Sequence, residues 1–224
     1  MSSAEYRHNL AGGKSLSKPI QECQDSGTIL DEAACFIENA QYQQAIITLE
    51  QGLTVDPNNK PMWEGVFACN LELKRPDKAI EALDHIIRIE PNSQIAWGEK
   101  GFLHLLLNES SKGVDALHRS LHLNPRNGRD WHLLDAAFMT NEQWEDALDA
   151  LGKALSLEPN SAMGWHNCAI CYFILENFEA ALTAADYALA LDPTLEDDTL
   201  DWIDIVRQAM LGFDDDSDIE SDAG

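Results

Sequence analysis

The chain of 224 residues has few basic side chains: 15 Lys and Arg stand against 39 Asp and Glu, a formal net charge of -24. A surface of that sign repels phosphate backbones and anionic headgroups, which argues against nucleic acid and membrane surfaces as partners. Long apolar runs are missing too. The longest, Cys168 to Leu175, falls far short of the roughly 20 residues of a membrane helix. Met1 to Ile20 mixes Glu5, Arg7, His8, Lys14 and Lys18 with glycines, not the apolar core of a secretory signal. The five cysteines are odd in number and irregular in spacing (Cys23, Cys35, Cys69, Cys168, Cys171). They fit isolated reduced thiols better than a disulfide framework, and so a cytoplasmic compartment. The 45% of hydrophobic residues suffices for a sizeable core, with one domain and tails as the simplest division.

What the sequence does have is a period. Pro57, Pro91, Pro125, Pro159 and Pro193 are each separated by 34 residues, and Trp63, Trp97, Trp131 and Trp165 keep the same spacing. Proline cannot continue a helix, because it lacks the N–H and clashes with the preceding turn. The Asn or Ser that follows in four of the five motifs can cap the next helix. Ala45, Ala79, Ala147 and Ala181 mark a column where two helices approach closely, with Gly113 in the same column. Apolar pairs such as Leu53 and Val55, or Ile87 and Ile89, carry a helical stripe into each closing turn. The repeating unit is a helix, a short turn and a second helix.

In this pattern the chain resembles the tetratricopeptide repeat family, as Trp165, Ala169, Tyr172, Ala181, Ala185, Ala188 and Pro193 show, with Ala185 smaller than the family's usual aromatic. The resemblance implies an all-α fold: a right-handed superhelical solenoid of about five helix-turn-helix repeats of 34 residues (26–59, 60–93, 94–127, 128–161 and 162–195). Phe67 and Asp135 stand where the family's first helix carries a small residue, so packing in units two and four is expected to be less regular. Residues 196–212 combine an acidic first turn with Leu200, Trp202, Ile203 and Val206 and read as a capping helix. Residues 1–25 and the acidic 213–224 are expected to be largely disordered.

Little in the sequence suggests catalysis. Gly13-Lys14-Ser15 resembles the end of a phosphate-binding loop, but His8 stands where the motif needs glycine and no strand precedes it. Cys168-Ala169-Ile170-Cys171 has CxxC spacing without the second pair that zinc wants or the βαβ context of a redox site. Its first cysteine falls on a core stripe, where cysteine acts as a small hydrophobe. His118 and His122 share a helical face with no third ligand, and the many carboxylates carry no catalytic signal. Ser217-Asp218-Ile219-Glu220 matches an acidophilic kinase acceptor, a pattern acidic tails produce freely. No catalytic residue, cofactor or metal site is therefore expected.

The family resemblance implies that the first helix of each unit lines a concave groove. The matching positions hold Leu30, Ala34 and Ile37 in unit one, Glu64, Ala68 and Leu71 in unit two, and Ile95, Phe102, Leu105 and Leu106 in unit three. Unit four adds Arg129, His132, Ala136 and Met139, and unit five Met163, His166, Ile170, Phe173 and Ile174. The face is mostly apolar and suits an amphipathic helix or an extended peptide with large apolar anchors. The basic clamp of heat-shock co-chaperones is absent, since Leu30 and Ala34, then Gly65, then Ile95 and Lys100 stand at or beside its positions in the first three units. A non-catalytic scaffold or adaptor that binds another protein follows. The alternative is an acidic chaperone or escort for a basic client, held by long-range attraction.

Overall fold

The motifs at Pro57, Pro91, Pro125 and Pro159 each close one helix and open the next because the residue two beyond the proline turns back onto the chain. In the computed structural model, which describes residues 28–195 and Ile203, the side chains of Asn59, Ser93, Asn127 and Ser161 accept hydrogen bonds from the backbone N–H of Met62, Ala96, Asp130 and Gly164. Each cap satisfies one of the orphan donors at a helix start. The first helices of the five units are α1 (Ile29–Glu38), α3 (Lys60–Glu72), α5 (Gln94–Leu106), α7 (Gly128–Thr140) and α9 (Ala162–Ile174). The second helices are α2 (Tyr42–Val55), α4 (Pro76–Ile89), α6 (Ser110–Leu123), α8 (Trp144–Leu157) and α10 (Phe178–Leu191), and a 3-10 turn, Pro193–Leu195, follows.

Within a unit, the turn between the helices uses a second device with the same period. Ala40, Lys74, Asn108, Glu142 and Glu176 all adopt positive φ, from 55° to 59°. Each lies just past the end of a first helix, and the next residue's N–H reaches back to a carbonyl of the last turn, as in Gln41 to Phe36 at 2.8 Å and Gln143 to Phe138 at 2.8 Å. This closure satisfies carbonyls that the helix end leaves open, and glycine is its usual residue. Here no glycine occupies it. Glu142→Gly is accordingly expected to raise stability by about 1 kcal/mol, because glycine bears no Cβ penalty in the left-handed region; an unchanged urea midpoint would show that the turn carries no such strain.

The periodic tryptophans tie each unit to the motif before it. The indole Nε1 of Trp63, Trp97 and Trp165 donates to the carbonyl of Pro57, Pro91 and Pro159, 2.9 Å in each case. The ring covers its own unit's second helix, stacking on His85 from Trp63 and on Tyr187 from Trp165. The alanine column behaves as its spacing implies, with Ala45, Ala79, Ala147 and Ala181 all at 0% exposure.

The chain forms two compact units, 1–125 and 126–224. In the first, α1 to α6 pack as successive hairpins around Leu49, Phe67, Leu83, Ile86 and Leu103, with a smaller cluster of Cys35, Phe36, Ile37, Ala45, Ile46 and Cys69. In the second, α7 to α10 enclose Leu151, Cys168, Ala169, Cys171, Ala184 and Ala185. The two departures from the small-residue column are absorbed differently. Phe67 becomes one of the largest fully buried side chains, in a core rich in alanine, while Asp135 is buried in hydrogen bonds. The expected terminal segments, 1–25 and 213–224, lie outside the described residues. So does most of the expected capping helix at 196–212, except Ile203, which is helical and fully buried in the core of the second unit. No described helix is long and apolar enough to cross a membrane.

Candidate functional site

The serine caps set the phase of α5 and α9, and that phase decides which side chains face outward. With Ser93 and Ser161 as caps, Ile95 and Met163 fall at the second position of their helices, and Leu106 and Ile174 fall at their ends. These four are exposed, at 41%, 56%, 59% and 42%. The half-buried Phe102 and Ile170 lie between them in sequence. Each residue of α5 in this set is 68 residues from its counterpart in α9, two repeat lengths. The same columns in units two and four hold Pro61, Ala68 and Glu72, then Arg129, Ala136 and Thr140. Large exposed apolar side chains in these columns therefore belong to units three and five.

The other expected groove residues divide between surface and core. Leu30, Leu71 and Phe102 are half-buried against the core of the first unit. Ile37 is buried beside Ala45 and Ile46, out of a partner's reach, because α1 is short and its last turn folds onto α2. Leu105 is half-buried, its side chain lying over the bare backbone of Gly113. In the second unit Arg129 is exposed and His132 half-buried. Met139 packs on the core, His166 is buried, and Phe173 meets Phe178 with ring centroids 6.0 Å apart.

α7 and α9 are joined by a polar contact between their buried sides. Asp135, 1% exposed, lies 3.1 Å from His132 Nδ1 on its own helix and accepts from Asn167 Nδ2 of α9 at 3.1 Å. The hydrogen bond to Asp135 raises the pKa of His132 against the opposing effect of burial, with the charges of Asp135 and Glu158 adding to the rise. The sequence marked Asp135 only as a misfit in its column, since its partners are one turn and 32 residues away.

Burial pushes the thiols of Cys168 and Cys171 up to about 12 and about 11, which disfavours the thiolate that nucleophilic or redox chemistry uses. Among the described residues, no group of three or more His, Cys, Asp or Glu could hold a metal ion. Cys69, Cys168 and Cys171 are free thiols. Cys35, however, is disulfide-bonded, which corrects the expectation of five separate thiols; pairing depends on distance in the fold, not on spacing in sequence.

Comparison with known proteins agrees with this architecture. Two family models described as tetratricopeptide repeat match residues 36–100 and 137–196, together more than half of the chain, and the protein belongs to the tetratricopeptide repeat family. No curated protein matches the sequence. Among solved structures, a crystal structure of MamA is similar, with a TM-score of 0.67 at 20% identity over 72% of this chain and 95% of that one. YrrB, described as a tetratricopeptide repeat protein with an unusual peptide-binding site, gives 0.67 at 15% identity over 80% and 94%. MamA from Desulfovibrio magneticus RS-1 gives 0.59 at 18% identity over 87% and 97%. At these identities the likeness is one of fold.

Proposed function

We propose that this protein is a non-catalytic interaction scaffold that takes apolar peptide or amphipathic-helix segments of another protein on the outward faces of α5 and α9, each face a binding strip of its own unit. The observation that carries this reading is the recurrence of Ile95, Phe102 and Leu106 as Met163, Ile170 and Ile174, with the outer members exposed in both units. An amphipathic helix presents its anchors at comparable spacings and buries them in such a face. The likeness to YrrB, whose description names a peptide-binding site, is consistent with the same class of ligand. His132, held by Asp135, adds a polar group on α7.

The acidic balance of the chain supports a second reading, that of an escort for a basic client. The two readings separate by salt, because exposed charges are screened beyond about 8 Å at physiological ionic strength whereas apolar burial is not. The test is capture of partners from source lysate on wild type and on a Leu106→Asp, Met163→Asp variant. Both substituted side chains are exposed, so folding should persist. Retention that survives high salt in the wild type and falls at least about tenfold in the variant supports the apolar faces. Retention of basic proteins that vanishes with salt and ignores the substitutions would replace them with the escort reading.

A further inference from the structure

The opposite side of α5 carries a different surface. Trp97, Lys100 and His104 follow one another at helical spacing, about half a turn round from Ile95, Phe102 and Leu106. With Lys112, Ala116 and Arg119 of α6 they line an open cleft of about 580 Å³, to which Asp115 and His118 also contribute. Three of the chain's 15 basic residues thus line one small cleft on a protein of net charge -24.

The third unit departs from its neighbours at these positions. Where Lys100 stands, units two, four and five place the buried Val66, Leu134 and Cys168, and unit one the half-buried Glu32. Where His104 stands, units one, four and five carry the rings of Phe36, Phe138 and Tyr172, and unit two the buried Asn70. Where Arg119 stands, His85 and Tyr187 lie against the tryptophan of their own unit, with ring centroids 3.7 Å and 5.1 Å apart. The third unit thus has its tryptophan but carries a guanidinium where units two and five carry a ring, as unit four carries Lys153 and unit one Gln51. The Lys100 ammonium sits 5.6 Å from the Trp97 ring centroid and pairs with Asp84 of α4. Lys112 pairs with Glu109, which also engages His104 Nδ1 at 2.7 Å. Arg119 is exposed, and neither it nor Asp115 forms an ion pair or hydrogen bond among the described residues.

We propose that this cleft binds a phosphate monoester carried on an aromatic ring. The ring lies on Trp97 where His85 and Tyr187 lie in other units, and the phosphate accepts from Arg119 and from donors of Lys112. Asp115, with Asp84 and Glu109 on the two ammonium groups, opposes any anion here, so the preference for a phosphate over a carboxylate rests on its larger number of acceptor oxygens. Each ammonium nevertheless has three donors, and a phosphate brings up to two charges and three acceptor oxygens. The cleft's size suits a side chain or small molecule, not a helix. A free nucleotide and a phosphotyrosine side chain share this chemistry.

Calorimetric titration of the full-length protein with phenyl phosphate at low salt tests the site. Saturable binding is expected, tighter than that of phenol or of inorganic phosphate. Arg119→Ala and Lys112→Ala, both at exposed positions, should each weaken it about tenfold or more, as loss of a charge-assisted hydrogen bond does. Leu106→Asp, on the opposite face of α5, should leave it unchanged while impairing partner capture, so the two surfaces fail separately. AMP and a phosphotyrosine peptide, titrated in parallel, identify the source by which binds more tightly. Absence of saturation below about 10 mM, equal affinity for phenol, or unaltered binding by a folded Arg119→Ala variant would overturn the assignment.

Discussion

Replacing Gly101 by valine is expected to lower stability by about 3 kcal/mol, the upper part of the range for overpacking a close contact. A Cβ at Gly101 would lie 2.7 Å from Leu117 Cγ and 3.1 Å from the carbonyl oxygen of Gly113. Leu117 is fully buried and cannot swing into solvent. The contact is reciprocal: a Cβ at Gly113 would come within 2.6 Å of Leu105 Cδ2 and 3.2 Å of the Gly101 carbonyl oxygen. α5 and α6 meet here through bare backbone, closely enough that even alanine must move something. Helix propensity argues the other way, since alanine is favoured over glycine by about 1 kcal/mol in a helix interior. Gly152 of α8, where an added Cβ would meet nothing within 4 Å, separates the two effects. Gly152→Ala should gain up to about 1 kcal/mol, while Gly101→Ala loses stability and Gly101→Val loses more. Equal urea midpoints for the two alanine variants would refute the close-packing account.

Removal of His132 should cost more than removal of its partner Asp135. His132→Ala leaves a carboxylate at 1% exposure with the amide of Asn167 as its remaining side-chain hydrogen bond. Losing a hydrogen bond to a buried charge costs about 2 kcal/mol. Asp135→Ala instead restores the small residue typical of that column and leaves only groups that water can reach, so it should stay within about 1 kcal/mol of wild type. The pair also has a pH signature. The folded-state pKa of His132 is raised above its ordinary value of 6.5, so its contribution is fully present below about pH 6.5 and is lost as pH rises through the folded value. The advantage of wild type over His132→Ala should therefore be larger at pH 6 than at pH 8.5. Denaturation curves at the two pH values measure this, and an advantage that grows with pH would show that Asp135 does not hold the imidazolium.

Much of the architecture was legible because it depends on local chemistry that repeats. Proline stops a helix wherever it falls, and Asn59, Ser93, Asn127 and Ser161 start the next one through a bond three residues away. The intra-unit turns were legible only in position. Their left-handed residues are Ala, Lys, Asn, Glu and Glu, and apart from Asn108 none announces that conformation; the pull of packed helices on either side imposes it. The outward columns were legible as columns, but their members sort by exposure only once the helices are packed. Ile37 and His166 turn inward, while Leu106 and Met163 remain outside.

The sequence by itself determined the 34-residue phase, the caps and the all-helical class of the described residues, because each follows from interactions spanning a few residues and repeated along the chain. Tertiary structure alone decided that Asp135 meets Asn167 across 32 residues, that Lys100 reaches Asp84, and that Trp97, Lys112 and Arg119 line one cleft. Those contacts depend on how one helix rotates against the next. That rotation is set by side-chain volumes on several helices at once, which no local pattern encodes.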